Sequence, residues 1–393
     1  MKSAKLFGSA AYLTTLCTIA TASHAQSSVA LYGIIDEGLM YQSNLGGERR
    51  VSLDSFSGMN SSRWGIQGRE DLGGGMNAFF TLESGINLNT GAFGQGGTAF
   101  GRQAYVGLGS ARFGNLSFGR QYDMIFYFAE PASFAGMIGS AAFGHPGDLD
   151  NTGNDIRVNN AVRYMSPNFY GFMFGGEYSV GGVSGNTTAN SGYSLGASYT
   201  NGSLLLGTAF EYFKNPVSST PGSGLFTNNA NGASWLAQSL NKGYASASAY
   251  QVAIVAASYS IGSVTLAASA SNIQYANLGG PLIGGTAQFN NADIGIRYTC
   301  KPFLSFSLGY EYLIGKGVRT TGGATVGNQH YNQVAFLTDY LMSKRTDVYF
   351  EAGWQRASGT SSLGTAAVAD FTNVGDSSNN HQLLVRLDLR HKF

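Results

Sequence analysis

From Leu383 to Phe393 the chain alternates strictly: Leu383, Val385, Leu387, Leu389, His391 and Phe393 take one side, and Leu384, Arg386, Asp388, Arg390 and Lys392 take the other. A period of two places successive side chains on opposite faces of an extended strand, here one face suited to lipid and one to water. The pattern recurs. Val348, Phe350, Ala352 and Trp354 alternate with Tyr349, Glu351, Gly353 and Gln355, and Ala78, Phe80 and Leu82 alternate with Asn77, Thr81 and Glu83. Trp64 and Ile66 alternate with Arg63, Gln67 and Arg69. Ile156, Val158, Val162 and Tyr164 alternate with Arg157, Asn159 and Arg163, with Asn160 interrupting the apolar side. The wet face repeatedly carries charge, which a packed core does not tolerate unpaired.

The segments between strands fall into two lengths. Short ones occur at Asp71 to Met76, Ser110 to Asn115, Ser166 to Gly171, Thr200 to Ser203, Ser260 to Ser263, Thr299 to Phe303 and Leu341 to Thr346. Long ones, rich in Gly, Asn, Ser and Thr, occur at 43–61, 87–100, 123–155, 181–192, 214–247, 275–290, 315–331 and 357–380. Eight long and seven short connections in strict alternation predict sixteen strands, with both ends on the short-turn side. No later stretch has the roughly 18 apolar residues of a helical membrane span. Hydrophobic surface hidden in a period of two enters a membrane only as a closed barrel, because lipid offers an open sheet edge no hydrogen-bond partner. The expected fold is all-β: a 16-stranded antiparallel transmembrane β-barrel with short periplasmic turns and long external loops.

Residues 1–25 read as a cleaved signal peptide: Lys2 and Lys5 precede an apolar stretch from Leu6 to Ala22, and Ser23-His24-Ala25 supplies a small-residue cleavage site. Residues 26–393 then form one barrel domain. Cleavage leaves 21 basic and 22 acidic residues and one cysteine, Cys300, so neither a nucleic-acid partner nor an internal disulfide is indicated. Charged residues make up 11% of the chain, against roughly 25% in soluble domains, while 25 Phe and 22 Tyr are present.

Several segments carry a family resemblance: Ser28-Val-Ala-Leu-Tyr-Gly33, Ser62-Arg-Trp-Gly-Ile-Gln-Gly-Arg-Glu-Asp-Leu-Gly73, Phe100-Gly-Arg-Gln-Ala-Tyr-Val-Gly-Leu108, Phe118-Gly-Arg-Gln-Tyr122, Tyr164-Met-Ser-Pro-Asn-Phe-Tyr-Gly171, Leu341-Met-Ser-Lys-Arg-Thr346 and Phe393. From about Ser28 to Phe393 the chain resembles the Gram-negative general porins of the β-proteobacterial type. The resemblance implies a homotrimer in the outer membrane, among lipids and lipopolysaccharide, with a third external loop folded into the lumen. It also implies a pore constriction whose basic wall is Arg63, Arg102 and Arg157, and whose facing acids come from Glu130, Asp148 and Asp150 on that loop. Phe393 resembles the signal read by barrel-assembly machinery. Alternation independently puts Arg63 and Arg157 on water-facing sides. It also turns Glu37 outward if Asp36 faces the lumen, a placement expected only near a membrane boundary or against a neighbouring subunit.

The function expected is passive diffusion of small hydrophilic solutes and ions, with weak anion preference. Catalysis, cofactors and metals are not indicated. His145, His330, His381 and His391 show no ligand spacing, and no Gly-x-Ser-x-Gly elbow or phosphate-loop lysine occurs. Asp148, Asp150 and Asp155 lack the spacing of an EF-hand. A barrel enzyme, which needs a Ser/His or Asp/His site, and a secreted β-rich adhesin are the alternatives.

Overall fold

In the computed structural model the described residues are 28–217, 236, 238–282 and 284–393, so the signal-peptide region lies outside them. The strands, in chain order, are β1 Ser28–Leu45, β2 Glu48–Asp54, β3 Arg63–Gly73, β4 Met76–Gly85, β5 Gln103–Ser110, β6 Gly114–Gln121, β7 Val158–Met165, β8 Phe172–Ser179, β9 Gly192–Asn201, β10 Leu204–Lys214, β11 Ala249–Ile261, β12 Val264–Ala276, β13 Ala287–Lys301 and β14 Leu304–Lys316. After the short β15 Val318–Arg319 and β16 Thr325–Val326 come β17 His330–Leu341 and β18 Thr346–Ser358. The short β19 Asp370–Phe371 and β20 Gly375–Asp376 precede β21 His381–Lys392.

Each long strand pairs antiparallel with its neighbours, and β21 closes the ring on β1, with Ile34 opposite Lys392 and Gln42 opposite Leu384. The two short pairs, β15–β16 and β19–β20, lie outside this sheet. The sheet has 17 hydrogen-bonded segments but 16 staves, because β2 and β3 both pair with β1 and are one stave broken in the middle. The predicted barrel is therefore present.

Alternation is realised as burial. Leu39, Val106, Val255, Ile294, Leu308, Leu387 and Leu389 are exposed on the outer face, while Asp36, Glu83, Glu211, Glu311, Glu351 and Arg386 are buried inside. This inversion of a soluble protein is what lipid outside and a polar lumen require.

The expected loop at 43–61 is corrected by the fold. Gly46 and Gly47, both at positive φ, make a tight turn, and the chain runs straight back down as β2. Residues 55–62 then leave the wall as an inward tongue. β1 has Asp54 opposite Gly38 and Arg63 opposite Ile34, so a stretch of β1 lacks a partner on this side. The Ser62 hydroxyl stands in, accepting from the Asp36 N–H at 2.9 Å and donating to the Asp36 carbonyl at 2.7 Å. The tongue is tied inside by Asn60, whose N–H donates to Asp36 at 2.9 Å and whose side chain accepts from Arg390 at 2.6 Å.

One further expectation shifts for a physical reason. Asn160, at φ 51°, is a bulge that reverses the parity of β7, so Val158 faces inward and Ile156 is buried before the strand begins. Glu37 lies midway along β1, opposite Leu389 and beside the gap in the broken stave. Both its carboxylate oxygens are buried without a hydrogen-bond partner among the described residues.

The segment between β6 and β7, hereafter L3, folds into the lumen through short helical turns at Ile125–Ala129, Glu130–Ala132, Phe134–Ile138 and Pro146–Asp148. Its aromatic side chains sit where the wall has no side chain. Phe134 lies against Gly295 of β13 and Gly309 of β14, Phe128 against Gly196 of β9, and Phe143 against Gly353 of β18. A Cβ at any of these glycines would overlap the ring. His145 bridges Asp150 at 2.7 Å and Asp293 of β13 at 2.8 Å. At its tip, Ala141 and Ala142 donate backbone N–H to Gly58 and Ser57 of the tongue at 3.1 and 3.0 Å. Above L3, Leu240, Tyr244, Tyr275, Leu278, Phe289 and Val318 form an apolar roof of inward-turned loops and strand ends.

Candidate functional site: the constriction

β3, β4 and the residues leading into β5 and β7 present one cluster to the lumen. Arg63 opens β3 across from Ile34, and Glu83 near the end of β4 faces the same way. Arg102 donates its Nε to Glu83 Oε1 at 2.8 Å, and Arg63 Nε lies 3.8 Å from Glu83 Oε2. The second Glu83 oxygen also accepts from Tyr32 at 3.0 Å. Tyr122, just after β6, receives Arg102 Nη2 at 2.6 Å and Arg157 Nη2 at 3.1 Å, so one phenol oxygen links two guanidinium groups. The Arg157 guanidinium also lies 5.0 Å from the centre of the Tyr122 ring, whose other contact is Phe126, stacked at 4.1 Å.

These arginines line a cavity of about 240 Å³ that is closed on the far side by the tongue and by L3. Glu130 and Asp155 line it from L3. L3 does not itself span the membrane, and burial moves both acids toward neutrality. The Glu130 carboxyl is raised to about 8, and that of Asp155 to about 6 against the opposing pull of Asn373 and the nearby arginines.

Of the six charged residues singled out in the sequence, the fold brings Arg63, Arg102, Arg157 and Glu130 to one cavity. Asp148 and Asp150 do not line it. Asp148 accepts from the backbone of Gly153 at 2.6 Å and of Asp155 at 3.2 Å, shaping L3. Asp150 is occupied by His145, by Thr152 at 3.0 Å and by Ser271. Phe393 lies on the wall, exchanging backbone hydrogen bonds with Gly33 at 3.0 and 3.2 Å. Sequence reasoning passed over Glu83, Tyr122, Asp155 and the tongue as parts of the site. Alternation had put Glu83 on the wet face and Tyr122 closes a quoted motif, but nothing in a period of two announces an inward tongue.

The model of the Gram-negative porin family matches residues 11–360. The chain belongs to that family. Among relatives of this porin, an outer membrane porin protein of Bordetella pertussis is 41% identical over 178 residues, 42% of this chain and 46% of the relative. Outer membrane porin protein 32 of Delftia acidovorans is 38% identical over 173 residues, 40% of this chain and 45% of the relative. The porin thus spans under half the length of these two relatives. It matches 99% of the major outer membrane protein P.IA of Neisseria meningitidis at 24% identity, over 97% of its own length. Its fold is that of an anion-selective porin from Comamonas acidovorans, with a TM-score of 0.67 at 22% identity, covering 94% of this chain and all of the other. The trimer form of OmpT from Vibrio cholerae matches with a TM-score of 0.61 at 16% identity, over 93% of this chain and 99% of that one. A porin of this family is a protein of the Gram-negative outer membrane, and its fold is the closed barrel of the solved porins that it matches.

Proposed function

We propose that this porin is a passive, trimeric diffusion channel for small hydrophilic solutes and ions, with weak preference for anions. The observation that carries the reading is the convergence of Arg63, Arg102 and Arg157 on one narrow cavity whose facing acids are partly neutral. Glu83 is engaged by two arginines and Tyr32, so with Glu130 protonated the cavity is net positive at neutral pH. A polar lumen lets a solute keep its water, and fixed charge at the narrowest point sorts what passes. The anion-selective neighbour and the trimeric one support the preference and the assembly. The acidic side of the constriction is assigned to Glu130 and Asp155.

The test is the reversal potential of the purified porin in a planar bilayer under a salt gradient. Anion preference is expected, and Arg102→Gln with Arg157→Gln should move it toward cations. One unit charge at 4 Å contributes about 1 kcal/mol in bulk water and more where protein walls lower the dielectric, so a shift of about fivefold or more per arginine is expected. Clear cation preference in the unaltered protein would remove the proposal.

A further inference from the structure

The cavity at the constriction is polar on one side and apolar on the other. Arg63, Arg102 and Arg157 hold the wall side, while Met59 of the tongue and Phe126 and Ala135 of L3 line the far side. Two of the arginines keep donors free. Arg102 Nη1 is buried without a hydrogen-bond partner among the described residues, and Arg63 comes no closer to an acid than 3.8 Å. A buried N–H left unmatched is costly, and an anionic guest relieves that cost. Two of the lining acids are already engaged, Glu83 by Arg102 and Tyr32, and Asp155 by Asn373 at 2.7 and 2.8 Å.

Phe126 is placed to touch such a guest. Phe128, Phe134 and Phe143 are buried against wall glycines, whereas Phe126 is only half-buried and lies in none of those notches. Arg157, Tyr122 and Phe126 form a column: the guanidinium is 5.0 Å from the centre of the Tyr122 ring, and the two rings stack at 4.1 Å with 15° between their planes. Tyr127 stands edge-on to Phe126 at 4.9 Å and 89°, which holds the plane of the ring. One face of Phe126 is thus covered by Tyr122, and the other turns to the cavity that it lines. The hydroxyl end of Tyr122 meets Arg102 and Arg157. At about 240 Å³ the cavity is smaller than the roughly 300–1,000 Å³ of sites that enclose drug-sized ligands, and it suits a single ring.

We propose that the constriction selects small aromatic carboxylates among the anions it admits, by stacking their ring on Phe126 while Arg102 and Arg63 take the carboxylate. A ring parallel to Phe126 can carry its carboxylate in the direction of the Tyr122 hydroxyl, toward donors already grouped there, and the pairing with guanidinium is charge-assisted. Met59 and Ala135 cover the rest of the ring without asking for a hydrogen bond. A saturated ring of the same charge is puckered and gains no stacking. The inference rests on the anion-channel reading and names the class of guest that the same cavity prefers.

The test uses the folded full-length porin in planar bilayers with sodium chloride, to which sodium benzoate or sodium cyclohexanecarboxylate is added on one side. Both probes carry one charge on a ring of the same size, so they differ in flatness and in the π-face. The quantity read is the concentration of each that halves the chloride conductance. Benzoate should do so at about threefold to tenfold lower concentration, the worth of an aromatic pair beyond its buried area. Phe126→Leu should bring the two concentrations together, and Phe126→Tyr, which keeps the ring, should hold them apart. Because both probes are read in the same variant, a change of bore cancels from the ratio. Heat-shifted gel mobility shows that each variant is folded, and the ratio in the unaltered porin decides the matter without them. Equal concentrations there overturn the proposal, as does a ratio that survives Phe126→Leu. Cation preference in sodium chloride alone overturns the anion-channel reading as well, whereas anion preference with equal probes overturns only the stacking site.

Discussion

Single residues set both the charge of the constriction and the hold on L3. Glu130 is the titrating switch, since its carboxyl is raised to about 8 by burial. Below that pH it is neutral and the arginines dominate; above it, a negative charge faces them. Anion preference should therefore fall as pH rises from 7 to 9, and Glu130→Gln should abolish the change, as measured by reversal potentials across that range. His145 works the other way round. Burial opposes its charge, but Asp150 and Asp293 outweigh burial and hold its pKa well above the ordinary imidazole value. Its stabilisation is complete below about pH 6.5, the unfolded value, and fades only as pH climbs through the raised folded value. His145→Ala leaves two buried carboxylates facing each other, and should cost about 3 kcal/mol or more in thermal or denaturant unfolding. Arg63 was legible from alternation alone, whereas Arg157 lies upstream of the parity-reversing bulge at Asn160, where alternation carries no information about its side. Asp148 was not, because a carboxylate that caps backbone N–H groups and one that faces a pore look the same in a polar loop.

Elements explain why L3 stays where it is. Phe128, Phe134 and Phe143 seat in notches made by wall glycines on β9, β13, β14 and β18, a fit between residues far apart in sequence. That distance is why the pairing could not be read from the chain. Phe134→Ala empties the Gly295–Gly309 notch and should cost about 3 kcal/mol locally. The expected signature is noisier single-channel current with a changed open-state conductance. Gly309→Ala should disturb the same contact from the other side, by about 1–3 kcal/mol of overpacking. If both variants conduct like the unaltered porin, the notches do not set the bore. Strand boundaries were legible to within a few residues wherever turns are short. They failed at 43–61 because a hairpin and an inward tongue share the polar, glycine-rich composition of an external loop.

At the scale of the whole molecule, the closed ring of sixteen staves was readable because alternation and loop length each demand it independently. Its lumen is charged along most of its height, yet permeation is governed where the bore is narrowest. Screening should therefore be visible: the Debye length is about 10 Å at 0.1 M salt and 3 Å at 1 M. Ion preference should be greatest near 0.1 M and weaken toward 1 M, and a preference constant across that range would place its origin elsewhere than in fixed charge. The tongue at residues 55–62 has a further consequence. Its residues 58–61 carry none of the ladder hydrogen bonds that seal the wall, a task left at this break to Ser62, yet with L3 they complete the rim of the aperture. Evolution or an engineer can thus resize the opening by editing Gly58 to Ser61 while every seam of the cylinder stays intact, as a gasket is exchanged without recasting the pipe.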